Sequence, residues 1–257
     1  MVDIHSHVVW GLDDGSTSME QSLSMLLAAA ESGTSDIVAT PHSNAEFTYR
    51  GELLDQRIRE LTLKTGGKPR IHRGCDLHLS FDNIDEVLRQ PAAYSINGTQ
   101  YLLVECPDFH VGKHTEKVLR RLLDASIVPV VTHPERNAVL QHKLRRVEEW
   151  VELGCLVQVT AMSITGGFGR QALAAANWLL DQGLVHVVAS DAHDPDYRHA
   201  RLHEAYSVVR SRYGEEAADL LFTHNPQSMV EGFQVAGGKQ NREDSANHWW
   251  QFWRASS

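Results

Sequence analysis

Two histidines two residues apart, His5 and His7, open a chain in which nearly every apolar run ends on a side chain able to hold a metal ion. Val2, Ile4, His5, His7, Val8 and Val9 make a β-rich run, and alternate residues of a strand face the same way, so both imidazoles can address one ion. The run breaks at Gly11 and Gly15. Asp13 and Asp14 therefore fall in a loop past the strand's carboxyl end, where parallel α/β folds keep their chemistry. The pattern repeats down the chain. His42 follows Asp36-Ile37-Val38-Ala39-Thr40 and Pro41, Asp76 and His78 share one face of the run Arg70 to Leu79, and Glu105 closes the run from Tyr101. His133 follows Ile127 to Thr132, and Asp191 and His193 follow Leu184 to Ser190.

At the mouth of a barrel such strand ends converge, and ionised carboxylates gathered there repel one another unless cations compensate them. The donors His5, His7, Asp14, His42, Asp76, Glu105, His133, Asp191 and His193 exceed what one tetrahedral ion takes, so two or three ions are expected. Imidazole and carboxylate without thiolate point to manganese, iron or zinc. Neighbouring ions would bind phosphate oxygens and lower the pKa of a bridging water, giving a hydroxide nucleophile at neutral pH. Arg136 and Arg198 stand just after two of these runs, and each could fork onto a phosphoryl oxygen during in-line attack. Surface ion pairing is the other use open to them.

The elements that must position these groups alternate regularly. Thr17-Ser18-Met19-Glu20 has the form of a capping box, and Met19, Leu23, Leu26 and Leu27 follow at helical spacing to Gly33. Further helices are expected over 51–65, 84–89, around Val118 to Leu123, over 143–153 and through the alanine-rich run to Gln182. Two more follow Arg198, the second announced by Asn225-Pro226. Strands alternate with helices about seven times, each parallel pair needing a right-handed crossover. This predicts a single-domain α/β fold, a distorted TIM-like (β/α)7 barrel.

At 257 residues the chain can bury a full core, and its 42% hydrophobic content contains no run near the roughly 18 apolar residues of a membrane span. A net charge of -9 argues against nonspecific binding to nucleic acid or anionic lipid, so an anionic substrate must be held by local cations. No signal peptide precedes the charged first strand, and Cys75, Cys106 and Cys155 lack zinc or redox spacing. A cytoplasmic protein is expected. None of the cysteines has an arginine six residues on, which excludes a cysteine-phosphatase loop.

Several motifs together carry a resemblance. Asp3-Ile4-His5-Ser6-His7, Gly11-Leu12-Asp13-Asp14-Gly15, Ala39-Thr40-Pro41-His42 and Val104-Glu105-Cys106-Pro107 come first. Thr132-His133-Pro134-Glu135-Arg136, Gln158-Val159-Thr160-Ala161, Thr165-Gly166-Gly167-Phe168-Gly169 and Ser190-Asp191-Ala192-His193 follow in order. The chain resembles the PHP-type (polymerase and histidinol phosphatase) protein-tyrosine phosphatases of bacterial capsule and exopolysaccharide clusters. The resemblance spans residues 1–235 as one domain and leaves 236–257 as a C-terminal tail. It implies a distorted barrel with three divalent ions, usually manganese, that dephosphorylates the tyrosine-rich tail of a membrane-associated kinase.

By matching position, the resemblance gives His5, His7, Asp191 and Asp76 to a first ion. Asp76, Glu105 and His133 would hold a second, and Asp14, His42 and His193 a third. Arg136 and Arg198 match the phosphate-contacting arginines. Two positions depart from the family pattern: Asp76 stands where a glutamate is usual, so His78 is a candidate assistant, and Cys106 replaces an aromatic. The remaining histidines are read mostly as solvated, with His110 and His114 as candidates to flank a substrate. Two rivals stay open: a phosphatase for a small phosphomonoester such as histidinol phosphate, and a metal-stabilised, non-catalytic kinase-binding regulator.

Overall fold

The computed structural model describes residues 1–79, 81–107, 111 and 113–237. His110 and the aromatic tail lie outside these residues. The strands are β1 (Val2–Ser6), β2 (Asp36–Ala39), β3 (His42–Ser43), β4 (Arg70–Arg73), β5 (Asp76–His78), β6 (Tyr101–Glu105), β7 (Val128–Thr132), β8 (Leu156–Thr160) and β9 (Val187–Ala189). All named pairs are parallel, and they form two sheets in the orders β1-β2-β4 and β3-β5-β6-β7-β8-β9. The fold is α/β in one domain, as the alternation of periods predicts. Among the described residues no helix is long and apolar enough to cross a membrane.

The single run expected over Arg70 to Leu79 is split at Gly74, with β4 in one sheet and β5 in the other. Close packing sets the break: a Cβ on Gly74 would meet Val38 Cγ1 at 2.9 Å and Thr40 Cγ2 at 3.0 Å. Gly74 N donates to Ala39 O and Asp76 N to Pro41 O, so the chain crosses between the sheets while keeping its neighbour. A parallel bridge, Ser6 to Ala192, joins β1 to the segment after β9. Asp191 N donates to His5 O and His7 N to Ala192 O, both at 2.8 Å.

The first helix runs Met19–Glu31, and its cap is one residue later than the capping-box spacing suggests. Ser18 accepts from Gln21 N, while Gln21 Oε1 takes Thr17 N. Asn225, rather than capping the last helix, is its first residue, and its amide donates to the carbonyls of His186 and Ala236. His186 departs from the solvated reading. It is 1% exposed, its Nδ1 accepts from Val157 N, and burial pushes it down to about 4.

The loop after β1 is shaped by Gly15. A Cβ there would stand 2.4 Å from both the Cβ and the carbonyl oxygen of His7, far inside contact distance with backbone that cannot yield. Gly15 N donates to Asp13 Oδ1 and Ser16 N to His7 O, folding Asp13 and Asp14 back over the strand end. Gly15→Ala is expected to cost roughly 1–3 kcal/mol, several degrees in thermal denaturation, and to reduce bound metal measured by elemental analysis. A variant with the parent's melting temperature and metal content would show that the loop does not depend on this approach.

Candidate metal centre

His5 and His7 lie on and just past β1, and their Nε2 atoms come within 3.3 Å of each other. The far side of each ring explains why this matters. His7 Nδ1 donates to Asp13 Oδ2 at 2.6 Å, and His5 Nδ1 to Gln158 Oε1 at 3.0 Å. Each ring then keeps a proton on Nδ1, so Nε2 is the nitrogen that turns into the shared space and can give its lone pair to a cation. Asp191 Oδ1 is 3.4 Å from both Nε2 atoms, and Asp76 Oδ2 is 3.5 Å from that of His5. Carboxylates gathered this closely repel one another unless a proton on an imidazole or a cation stands among them.

The other strand ends complete the ring. His42 Nε2 and His193 Nε2 each lie 3.5 Å from Asp14 Oδ1. His133 Nε2 is 3.7 Å from Glu105 Oε1. Four groups of possible ligand atoms within 4.8 Å of one another result: His7, Asp14, His42 and His193; His5, His7 and Asp76; His5, His133 and Asp191; and His42, Asp76 and Glu105. The nine donors assigned to ions from the sequence each fall in at least one group. The groups overlap, and Glu105 joins Asp76 through His42 as well as facing His133. His78 enters none of these groups among the described residues.

The donor set fits divalent cations. His42 Nδ1 lies 3.3 Å from Asp76 Oδ2 without hydrogen-bonding geometry, and both atoms are buried with no hydrogen-bond partner. Unsatisfied buried donors and acceptors are costly, and opposed acceptors are what a metal relieves. The electrostatics agree. Burial alone would lower the His5 and His42 imidazoles, yet carboxylates raise them, His5 through Asp76 and Asp191 to about 9 and His42 through Asp76 and Glu105 to about 10. Burial and the charge of Asp76 push Glu105 up to about 7. Burial and His7 push His193 down to about 4.

The arginines converge on the same centre. Arg136 Nη1 and Arg198 Nη2 both bond Asp191 Oδ2, the latter at 2.6 Å. Both guanidiniums lie over the Phe168 ring, at 4.2 and 5.8 Å from its centroid. Arg136 also lines a cleft of about 110 Å³ with Glu105, Cys106, Thr132, His133 and Asn137. Backbone strain concentrates here too: His133 has φ 32 and Asp191 φ 51, left-handed values uncommon for residues with a side chain. The Cys106 thiol is buried and pushed well up by burial and Glu105, which removes it as a nucleophile.

Sequence reasoning did not single out Asp13 and Gln158 as the groups that fix the tautomers of His7 and His5, nor Phe168 as the surface under the arginines. All three sit in the motifs given above, but only folding shows which group each one faces.

Comparison with known proteins agrees with this geometry. The tyrosine-protein phosphatase YwqE of Bacillus subtilis is 32% identical over 237 residues, covering 90% of this chain and 91% of the relative. The tyrosine-protein phosphatase CpsB of Streptococcus pneumoniae is 29% identical over 239 residues, covering 90% and 98%. A structure from crystallographic work on YwqE and CpsB, described as unique metal-dependent tyrosine phosphatases, superposes with TM-score 0.86 at 29% identity, covering 92% of this chain and 97% of that one. Dihydropyrimidinase from Brevibacillus agri, at TM-score 0.55 and 15% identity, shares the fold alone. With residues 1–231 matching the family described as capsular polysaccharide synthesis, CpsB/CapC, the chain belongs to that family.

Proposed function

We propose that this protein is a metal-dependent protein-tyrosine phosphatase, acting in the cytoplasm on the phosphotyrosine-bearing tail of a membrane-associated tyrosine kinase that governs capsule or exopolysaccharide synthesis. The observation that carries the proposal is the meeting of one imidazole and carboxylate cluster with two guanidiniums on Asp191. Such a site has no place for a covalent thiol route and is suited to a phosphoryl group, whose oxygens need several positive charges at once. The name borne by the Bacillus and pneumococcal relatives supports the phosphotyrosine assignment.

Three divalent ions, manganese first among them with iron or zinc as alternatives, would be held by His5, His7, Asp191 and Asp76, by Asp76, Glu105 and His133, and by Asp14, His42 and His193. When bound, they would polarise the phosphoryl oxygens and acidify the attacking water. The chain's own groups do the rest. Asp13 and Gln158 hold the Nδ1 protons of His7 and His5, so that Nε2 faces inward and is the nitrogen freed when a cation displaces its proton. Arg136 and Arg198, backed by Phe168, would bind the equatorial oxygens as charge builds on them. The phenolate is a good leaving group and needs little help from an acid. The catalytic domain would span 1–235, with β1, the broken β2/β3, the broken β4/β5, β6, β7, β8 and β9 as seven staves of a distorted barrel closed by the Ser6 to Ala192 bridge.

Three outcomes follow. Manganese-dependent release of phosphate from p-nitrophenyl phosphate is expected to vanish in His133→Ala and Asp191→Asn, and a phosphotyrosine peptide is expected to be turned over faster than histidinol phosphate. Equal or better hydrolysis of the small molecule would overturn the protein-substrate assignment, and inactivity with every metal would overturn catalysis. Arg136→Ala is expected to lower kcat on the order of 10²-fold with a smaller change in KM, as for lost transition-state charge stabilisation. Unchanged kinetics would remove Arg136 from the site.

The third outcome concerns pH. In metal-free protein His5 and His42 have pKa values raised above 6.5, so their protonation stabilises the fold fully below pH 6.5 and that contribution is lost as pH rises through about 9 and 10. Ions need these rings neutral, so loading releases protons and tightens as pH rises. Calorimetric titration with manganese at pH 6.5 and 8.5 is expected to show tighter binding at the higher pH, with proton release revealed by buffers of different ionisation enthalpy. A pH-independent affinity would contradict it.

A further inference from the structure

A second concave surface lies beyond the arginine loop, on the turn between the helices Ala138–Gln141 and Arg145–Leu153. It is a groove of about 520 Å³ whose walls include His142, Lys143, Arg145 and Arg146, with Leu144 and Trp178 as its apolar part. Glu149 is the one carboxylate in its lining. A chain of net charge -9 has thus gathered cations in one groove. Other basic side chains of the surface form ion pairs, among them Arg120 with Glu116, Arg121 with Asp85 and Arg212 with Asp181. Among the described residues Lys143, Arg145 and Arg146 have no such partner.

The groove is built rather than accidental. Lys143 N donates to Leu140 O, and Arg146 N to Lys143 O, so the turn that carries the charges is hydrogen-bonded through its backbone. Arg146 Nη1 is fixed on Val111 O at 3.3 Å, and the half-buried Trp178 comes from the helix Gly169–Asp181 on the other side. The groove is also tied to the metal centre. Gln141, on its rim, donates Nε2 to Glu135 O at 2.8 Å, and Glu135 immediately precedes Arg136. Glu135 is itself fully buried and held by Thr160 N and Ser163 Oγ. Groove and phosphate-binding arginine are therefore fixed with respect to each other by a short, hydrogen-bonded link.

We infer that this groove is a docking site for an acidic segment of the polypeptide substrate flanking its phosphotyrosine, with carboxylates on Lys143, Arg145 and Arg146 and an apolar side chain against Leu144 and Trp178. This rests on the phosphatase reading above. Charge complementarity selects the occupant: a neutral or basic segment would leave the cations unpaired, whereas an acidic one pairs them and gains the aromatic wall. Docking outside the reacting centre raises affinity for the protein substrate without touching a small aryl phosphate.

The test uses the metal-loaded full chain and the variant Lys143→Ser/Arg145→Ser, which leaves the anchored Arg146 in place. Two phosphotyrosine peptides are compared, one with glutamates and a leucine beside the phosphotyrosine and one with glutamines in place of the glutamates. The parent protein is expected to show a KM about tenfold lower for the acidic peptide, an advantage that salt erodes and the variant loses, as for two exposed charge contacts. Turnover of p-nitrophenyl phosphate should be the same in both proteins. Fluorescence anisotropy with the acidic peptide carrying unphosphorylated tyrosine should show the same loss of binding without any need for hydrolysis. Equal KM values for the two peptides in the parent, or an equal change for both in the variant, would overturn the docking site while leaving the phosphatase reading intact. Failure of the parent to hydrolyse either peptide would instead overturn the phosphatase reading.

Discussion

The first strand is held against the segment that follows the last one by backbone hydrogen bonds and by the buried Asp3 carboxylate, and the meeting of Asp191 and His193 with His5 and His7 depends on that closure. Asp191 N reaches His5 O and His7 N reaches Ala192 O, each at 2.8 Å, while Ser190 N donates to the buried Asp3 carboxylate at 3.0 Å. Backbone ladders are stiff, since each bond fixes the dihedrals of two chains together. Asp191 and His193 are thereby brought to His5 and His7 with little freedom of approach. The left-handed backbone at His133 and Asp191 is the cost of aiming side chains inward from such ends, and it is sustained because the strands around it are otherwise regular.

The contrast with a structural cluster of the same residue types shows what sets the metal centre apart. Asp36 is 1% exposed, takes two bonds from Arg70 at 2.8 and 2.9 Å, and pairs with His72 at 2.8 Å. Its acceptors are used up within the protein. At the metal centre Asp76 Oδ2 and His42 Nδ1 are buried and left over, and the imidazoles are raised because the carboxylates draw protons in. A network that closes on itself stabilises a fold; one that is left open asks for a cation.

Much of this was legible because strand ends are marked twice, by the close of an apolar run and by the polar residue after it. His42, Glu105, His133 and Asp191 carry that double mark, and the motifs around them carry the family. Less legible were features decided by three-dimensional neighbours. The break between β4 and β5 comes from Val38 and Thr40 crowding Gly74, which no local pattern encodes. His186 reads like the other histidines, yet it is buried and spent on Val157 N. Asp13 beside Asp14 could not be told apart by spacing: the first holds a ring from behind, and the second faces His42 and His193.

Asp191 joins two functions that sequence order keeps apart. Its Oδ1 faces the Nε2 atoms of His5 and His7, while its Oδ2 takes both Arg136 and Arg198. A cation among the histidines and an anion on the arginines would therefore act on opposite oxygens of one carboxylate. Charge drawn towards one side is withdrawn from the other, so occupancy of the two subsites is linked, and linkage between binding sites is reciprocal. The Phe168 ring lies against both guanidiniums, 4.2 and 5.8 Å from its centroid, and so gives them a support independent of Asp191. On the proposed function, that contact would keep the guanidiniums placed for a phosphoryl group when a cation draws on Asp191.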